Sequence, residues 1–182
     1  MKDSRILSNQ DIERTLTRFA HEVIEPFDDS SEVVLIGIQT RGIHLARRLR
    51  DRVKSYFHID LPLGLLDITF YRDDFRSRME MPTVQRTEIP FDIYNKHVVL
   101  VDDVLFTGRT VRSGLEAIMS FGRPRDIRFC CLIDRGHREL PIQPDIVGKM
   151  IPTHEHEEIK VYLTEEDGED AVYVMKKEKK TS

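Results

Sequence analysis

The sequence predicts an α/β fold built on a mainly parallel sheet. Short apolar runs are typical of buried strands, and longer stretches between them carry apolar residues at helical spacing. Strand-like and helix-like segments also alternate along the chain. A strand, a helix and a strand in this order require crossover connections, and such crossovers place the strands parallel to each other.

Each predicted element rests on a local pattern. Ser8 and Asp11 have the spacing of a helix start, in which a cap side chain and an acidic residue satisfy free backbone N–H groups. Ile12 and Leu16 begin the apolar stripe of that helix. The predicted strands are 32–38, 65–71, 97–101, 127–133, 159–163 and 171–175; the other predicted helices occupy 43–57 and begin near Val111; residues 72–83 form a long surface loop.

Composition bounds the class of protein. The chain has 182 residues, with 28 Lys and Arg against 32 Asp and Glu, a formal net charge of −4 and 33% charged residues. This length suits a single domain over residues 1–182 with a polar tail over about 176–182. No apolar stretch approaches the roughly 20 residues that span a membrane, and the first residues lack the apolar core of a signal peptide. We therefore expect a soluble, cytoplasmic protein without a membrane partner.

Cysteine and histidine predict no metal or disulfide site. Cys130 and Cys131 are adjacent in an apolar run, so their side chains point to opposite faces of a strand. His154 and His156 share a strand face, but no third ligand lies nearby in the sequence, which disfavours a metal site. The weakly acidic total charge still allows a local basic face, because phosphate binding depends on where the charges lie.

Residues 98–110 carry the most informative motif. Four apolar residues lead to Asp102 and Asp103 at the carboxyl end of a buried strand, where open α/β sheets bind ligands. Residues 107–110 follow directly before a helix, whose free N–H groups and positive dipole end suit a phosphate dianion. Because two carboxylates would repel an anion, we expect them to face hydroxyl groups or a divalent cation. A buried strand whose two acids only cap a helix is the structural alternative.

This segment resembles the phosphoribosyl pyrophosphate (PRPP) motif of type I phosphoribosyltransferases: four apolar residues, two acids and a Thr-Gly-x-Thr loop. The resemblance implies the type I phosphoribosyltransferase fold, a mainly parallel sheet with helices on both faces and a small hood built from terminal segments. It implies that Asp102 and Asp103 hold the ribose hydroxyls, with Asp103 near the reacting carbon, and that residues 107–110 surround the 5′-phosphate. Mg²⁺ is expected to bind with PRPP, and Asp102 and Asp103 are its candidate ligands.

Two further segments resemble parts of the same site. Residues 37–42 join a strand to a helix, and the resemblance implies that Thr40 and Arg41 contact pyrophosphate while Gly42 gives the turn room. Arginine suits a diphosphate because its planar fork donates two hydrogen bonds at once. Arg72 is a candidate for a diphosphate contact after a mobile loop closes over the reacting centre. An ordinary turn at 37–42 and a solvated charge cluster around Arg72 are the alternatives.

The chain resembles one branch of the family in particular, whose members are uracil phosphoribosyltransferases that also bind RNA to attenuate pyrimidine operons. The segments that carry this resemblance are 40–42, 71–74 and 134–142. Residues 144–148 also look like the purine-specific members, so the residues leave the choice of base open.

The branch resemblance assigns a set of ligand contacts. The segment around Arg135 is implied to hold the base, and the backbone near Ile159 and Val161 closes the pocket. The candidate catalytic residues are Asp102, Asp103 and Arg41. The implied contacts to PRPP or UMP are Thr40, Arg41, Gly42, Arg72, Asp102, Asp103, Val104, Leu105, Phe106, Thr107, Gly108, Arg109, Thr110, Arg135, Ile159 and Val161.

The reaction implied is uracil + PRPP → UMP + pyrophosphate, without a covalent nucleophile. The resemblance also implies that UMP strengthens binding to a stem-loop of pyrimidine-operon leader RNA, which promotes transcription termination, and that homodimers or larger homo-oligomers form. RNA contacts are expected from cationic and hydroxyl side chains. The matching positions are Thr17, Arg18, His21, His137, Arg138, Lys149 and Thr153.

Two observations weigh against RNA binding. Gln143 stands where the attenuator pattern has a basic residue, and residues 155–170 are rich in acids. A phosphoribosyltransferase that acts on uracil or a purine base without binding RNA is therefore the alternative, and a catalytically weak nucleotide sensor is a third possibility.

Overall fold

A parallel sheet carries most of the fold in the computed structural model, which describes residues 4–27, 29–68, 87–154 and 156–176. A short 3-10 helix precedes the second strand. The elements in chain order are β1 (Ser4–Leu7), α1 (Asn9–Ile24), β2 (Val33–Ile38), α2 (Arg41–Phe57), β3 (Leu63–Leu66), β4 (His97–Leu105), α3 (Arg109–Phe121), β5 (Asp126–Asp134), β6 (Ile146–Met150), β7 (Glu157–Tyr162), α4 (Thr164–Asp167) and β8 (Ala171–Lys176).

Five strands form the parallel sheet in the order β3-β2-β4-β5-β6. The central strands are buried on both faces, which is why they read as continuous apolar runs rather than as alternating patterns. All five strands point the same way, so the segments that follow them gather at one edge of the sheet. The predicted α/β fold with a mainly parallel sheet is confirmed.

Helices cover both faces of this sheet. On one face, α1 and α2 bury residues such as Leu16 and Leu49 against the strands, whereas α3 buries Val111 and Ile118 on the other face. Cys130 belongs to the first apolar cluster and Cys131 to the second, and both are buried free thiols. Their opposite orientation agrees with the prediction from the sequence.

The hood is a second, antiparallel sheet in the order β1-β8-β7, with α4 between β7 and β8. It combines the first and the last described strands, as the family resemblance implies. Strand β7 contacts β4, so the hood stands beside the strand that carries the two predicted acids.

The local signals at the first helix are confirmed. The Ser8 side chain accepts a hydrogen bond from the Asp11 N–H, and the Asp11 carboxylate accepts one from the Ser8 N–H at 2.9 Å. This reciprocal pair is the capping box that the spacing predicts.

Several predicted boundaries are wrong. Strand β3 covers Leu63–Leu66 rather than the predicted 65–71. Residues 69–71 of that prediction lie outside the described residues, as do Arg72 and the predicted loop 72–83. Strand β8 includes Lys176, which had been assigned to the polar tail; the rest of the tail lies outside the description. Strands β1 and β6 were not predicted, because each buries only one residue fully and so lacks an apolar run.

Candidate active site

The two acids of the PRPP-like motif lie inside strand β4, not after it. The strand continues to Leu105, so the prediction that Asp102 and Asp103 terminate it is wrong. Asp102 is 5% exposed, and its Oδ1 accepts the Asp103 N–H at 2.9 Å. The Asp103 Oδ1 accepts the Val104 N–H at 2.9 Å. These bonds between side chain and backbone hold both carboxylates in a set orientation.

Burial raises the pKa of Asp103. Desolvation disfavours the charged carboxylate, whereas hydrogen bonding with Asp102 and the positive charge of Arg41 act in the opposite direction. A carboxyl group with a raised pKa beside a cation is the kind of group that enzymes place at reacting centres.

Gly42 brings the start of α2 against β4. A Cβ atom at this position would lie 2.5 Å from the Val101 carbonyl oxygen and 3.1 Å from the Asp102 Cα, so no larger residue fits. Gly42 is therefore needed because two backbones approach closely, whereas the family resemblance implies only that it gives the turn room. Thr40 stands at the N-cap position of α2 and makes no side-chain cap bond. Arg41 is the first residue of that helix.

A cavity of about 340 Å³ opens between the sheet and the hood. It brings together four residues predicted from the sequence, Arg41, Asp103, Ile159 and Val161. Its full lining is Arg41, Asp103, Glu158, Ile159, Lys160, Val161 and Tyr162. Lys160 lies within the stretch 159–161 on which pocket closure is predicted, and Tyr162 lies in the predicted strand 159–163. Glu158 falls before both ranges, and no sequence pattern indicates it.

Arg41 is held by the hood. Its Nε and one Nη donate to the two carboxylate oxygens of Asp167 at 3.2 Å and 2.7 Å. No sequence signal pointed to Asp167, because the two residues are 126 positions apart and only the folding of the hood onto α2 joins them.

Thr107 and Gly108 precede α3, whereas Arg109 and Thr110 are its first two residues, so the prediction that all of residues 107–110 come before the helix is wrong by two residues. Gly108 occupies the N-cap position with φ +92°, a conformation that favours glycine, and offers no side chain to cap the helix. No N-cap side chain therefore competes with an anion for the N–H groups of Thr110 and Val111. The Thr107 hydroxyl accepts the Arg109 N–H at 3.3 Å, while the Arg109 side chain pairs with Glu139 at 2.6 Å.

Arg135 is a buried cation next to this loop. Its residue is 5% exposed, its Nε donates to the Thr153 hydroxyl at 3.1 Å, and an Nη donates to the Glu157 carbonyl at 2.7 Å. The guanidinium lies over the Phe106 ring, 4.1 Å from its centre. Burial lowers the pKa of Arg135, and the nearby negative charges of Glu157 and Glu158 oppose that effect.

Three further residues predicted to contact the ligand, Val104, Leu105 and Thr110, do not line the cavity. The Leu105 side chain is buried among the residues under α3, so the ligand contact predicted for this residue is left to its backbone. Val104 packs against the apolar cluster on the opposite face. Thr110 lies half-buried in the first turn of α3, near the open N–H groups.

The predicted RNA residues of α1 lie next to β6. Arg18 is exposed, pairs with Glu22, and donates to the Val147 and Gly148 carbonyls at 2.8 Å and 3.1 Å. Lys149 is the next residue of that strand and is exposed. On the same helix, the Thr17 hydroxyl donates to the Glu13 carbonyl, and the His21 ring lies edge-on to Phe57 with ring centres 5.0 Å apart.

The remaining predicted RNA residues follow β5. His137 is exposed and its Nε2 lies 2.6 Å from the Thr153 carbonyl oxygen. Arg138 donates to the Asp134 carboxylate at 2.6 Å and to the Phe106 and Ile142 carbonyls, so its guanidinium holds the loop together. The Thr153 side chain is buried and its hydroxyl accepts a hydrogen bond from Arg135, so the RNA contact predicted at this position is left to its backbone.

Within the described ranges, His, Cys, Asp and Glu nowhere form a group of three or more arranged to hold a metal ion. Over the same ranges, none of the helices has both the length and the apolar character to cross a membrane.

Fold and site together define a phosphoribosyltransferase. Residues 3–166 match the family described as Phosphoribosyl transferase domain. The hypoxanthine-guanine phosphoribosyltransferase of Bacillus anthracis has a similar fold, with a TM-score of 0.73 and 18% identity over 94% of this chain and 98% of that one.

The chain is most informatively compared with proteins named "Bifunctional protein PyrR". That of Halalkalibacterium halodurans is 52% identical over 94% of this chain and 97% of its own length. That of Synechocystis sp. is 50% identical over 94% and 96%. The chain belongs to this PyrR family of phosphoribosyltransferases, and the branch that the sequence motifs predict is confirmed.

Proposed function

We propose that this protein converts uracil and PRPP to UMP and pyrophosphate, and that it binds pyrimidine-operon leader RNA to promote transcription termination. Membership of the PyrR family supports both activities. The observation that carries the enzymatic part is the cavity shared by Arg41 and Asp103. A cation and a carboxylate facing one space suit a substrate that carries both a diphosphate and a ribose diol.

The ribose 5′-phosphate binds at residues 107–110 in this proposal. The uncapped N-terminus of α3 supplies N–H donors and the positive end of the helix dipole, both of which favour a dianion. Asp102 and Asp103 accept hydrogen bonds from the ribose hydroxyls, since carboxylates are acceptors. The low dielectric around these buried groups strengthens each bond.

Departure of pyrophosphate leaves positive charge on the sugar and adds negative charge to the leaving group. Arg41 stabilises the leaving group and the Asp103 carboxyl group stabilises the sugar, because preorganised polar groups in a site of low dielectric act without reorganisation. Positioning of uracil close to the reacting carbon contributes the remaining effect, without a covalent intermediate.

The chain suits Mg²⁺ delivered with PRPP. Mg²⁺ in such sites is bound by one or two carboxylates together with substrate phosphates, and Asp102 and Asp103 are such a pair. When bound, the ion supplies charge neutralisation to the diphosphate.

The base is placed between Arg135 and the hood. The exposed Phe106 ring beneath the Arg135 guanidinium gives a flat surface, and residues 159–161 of the hood line the cavity. The preference for uracil over a purine rests on the family branch and not on a donor pattern read from these residues.

RNA binding is assigned to the surface around Arg18, Lys149 and His137. All three side chains are exposed, and phosphate contacts from Arg18 and Lys149 give affinity for a hairpin. We expect the functional protein to be a homo-oligomer, with this surface continuing across subunits, and to act in the cytoplasm, where leader RNA is made.

The enzymatic proposal is tested by incubating the protein with uracil and PRPP, with and without Mg²⁺, and measuring UMP. Magnesium-dependent UMP formation is expected. Turnover of hypoxanthine or guanine with none of uracil would assign the protein to purines, and absence of turnover with every base would contradict the enzymatic role.

The regulatory proposal is tested by gel shift with the leader RNA of the organism's own pyrimidine genes. UMP is expected to strengthen binding of the hairpin and to leave a scrambled hairpin unaffected. If UMP has no effect on retention, the enzyme without RNA binding becomes the better description.

A further inference from the structure

We propose that Asp167 is a positioning residue for pyrophosphate binding, acting through Arg41; this inference rests on the proposed function. Asp167 is the last residue of α4 in the hood, and Arg41 is the first residue of α2 beside the sheet. Asp167 does not line the cavity, whereas Arg41 does. The acid therefore acts on the substrate only by way of the guanidinium.

The geometry of the pair is that of a support. Asp167 receives two N–H groups from one edge of the Arg41 fork, and its Oδ2 also accepts the Leu163 N–H at 2.9 Å. The Asp167 N–H in turn donates to the Leu163 carbonyl at 2.7 Å. The carboxylate is thus fixed to the hood backbone, and it fixes one edge of the guanidinium.

The other edge of the guanidinium stays available for a ligand. Arg41 has five N–H donors, and two of them donate to Asp167; in the described part of the chain the others have no hydrogen-bond acceptor. The negative charge of Asp103 also acts on Arg41 across the cavity. A planar fork held along one edge presents the second edge in a constant direction, which suits a diphosphate oxygen.

A support of this kind lowers the cost of binding. An unsupported arginine side chain loses rotamer freedom when it closes on a ligand, and preorganisation removes part of that loss. Loss of the support leaves the charge of Arg41 in the cavity, so stabilisation of the leaving group is largely kept once PRPP is bound. The loss falls mainly on the ordering of Arg41 during binding, so KM for PRPP changes more than kcat.

The same hood segment provides a matched control. Asp170 accepts two hydrogen bonds from Arg48, at 2.7 Å and 2.8 Å, and so also joins the hood to α2. It does not touch Arg41 and does not line the cavity. Asp170 Oδ1 also accepts the N–H and the hydroxyl of Thr164, the first residue of α4, at 2.7 Å and 2.9 Å, and an asparagine oxygen can accept both. Asp170→Asn therefore weakens hood docking as loss of Asp167 does, while it retains α4 and the Arg41 support.

The test compares Asp167→Asn and Asp170→Asn in steady-state kinetics of UMP formation. For Asp167→Asn we expect KM for PRPP to rise about tenfold, with kcat and KM for uracil changed less than about twofold. For Asp170→Asn we expect KM for PRPP to stay near that of the unaltered protein. Asp167→Glu, which retains a carboxylate, is expected to restore part of the affinity for PRPP.

Three results would overturn the inference. Equal rises in KM for PRPP in both variants would assign the effect to hood docking. An unchanged KM in Asp167→Asn would remove Asp167 from the site. A lowered KM would mean that Asp167 competes with the diphosphate for Arg41. In each of these cases the protein without substitutions still forms UMP, so only the role of Asp167 fails. If the protein without substitutions forms no UMP, the proposed enzymatic function fails, and the inference about Asp167 fails with it.

Discussion

The Arg135 guanidinium carbon lies 4.1 Å from the centre of the Phe106 ring, and this contact joins the loop after β5 to the loop after β4. Arg138 strengthens the connection by donating to the Phe106 carbonyl at 2.9 Å. The backbone N–H groups of Glu139 and Leu140 donate to the Thr107 carbonyl at 3.0 Å and 3.1 Å. The proposed phosphate and base subsites therefore form one bonded unit.

Arg135→Lys is expected to impair uracil use more than PRPP use. Lysine keeps the charge but cannot stack a planar group on Phe106. It also cannot reproduce the two hydrogen bonds that separate guanidinium nitrogens donate to Thr153 and Glu157. A stacked cation contributes about 1 kcal/mol, so loss of the stack alone should lower kcat/KM for uracil roughly fivefold. Steady-state kinetics with each substrate varied in turn provide the measurement, and an unchanged KM for uracil would contradict the role in base binding.

Asp103→Asn is expected to lower kcat about 100-fold, as loss of one electrostatic contact at a reacting centre does. The fold should persist, because asparagine still offers an oxygen to the Val104 N–H. Circular dichroism and kinetics on the same preparation separate the two effects.

The same variant tests the raised pKa of Asp103. A raised pKa in the folded state means that this carboxyl group favours folding most at low pH and progressively less as pH rises above its ordinary value of 3.8. Asn has no such charge, so Asp103→Asn should melt at the same temperature as the unaltered protein, or higher, at pH 7. The difference should vanish near pH 4 and below; a variant that melts well below the unaltered protein at pH 7 would contradict this.

The stabilising contribution of Asp170 to the free energy of unfolding is expected to be lost in acid. Hydrogen bonds from Arg48 lower the pKa of Asp170 to about 2 from 3.8. Because the unfolded chain then binds more protons, the contribution to stability is complete above about pH 4 and is lost as pH falls toward 2. Asp170→Asn should lower the free energy of unfolding by about 1 kcal/mol at pH 7 and by almost nothing near pH 2. Urea unfolding at both pH values measures the difference, and an equal effect at the two would exclude the ion pair as its cause.

Lys149→Ala tests the RNA surface. An exposed lysine that contacts phosphate contributes to affinity and to its salt dependence, so the variant should bind leader RNA several-fold more weakly and with a salt slope smaller by about 0.7–1. UMP formation should not change. Arg47→Ala, which removes one exposed charge from α2, is the control. Equal effects of both variants on RNA binding would assign the loss to overall charge.

Most of the fold could be predicted because it rests on local patterns. The cap of α1 and the buried runs of β2, β4 and β5 are read from neighbouring residues, and the PRPP-like motif lies within thirteen consecutive positions. Strands β1 and β6 could not be predicted, because each is an edge strand with one fully buried residue and so lacks an apolar run.

The sequence by itself determined the α/β architecture, the paired acids at 102 and 103 and the family to which they belong, since each depends on residues close together in the chain. The tertiary structure alone decided that Asp167 holds Arg41, that Arg135 stacks on Phe106 and that Thr153 is buried. The physical reason is that contacts between distant segments are set by how the hood and the loops pack on the sheet, and that packing leaves no local pattern in the chain.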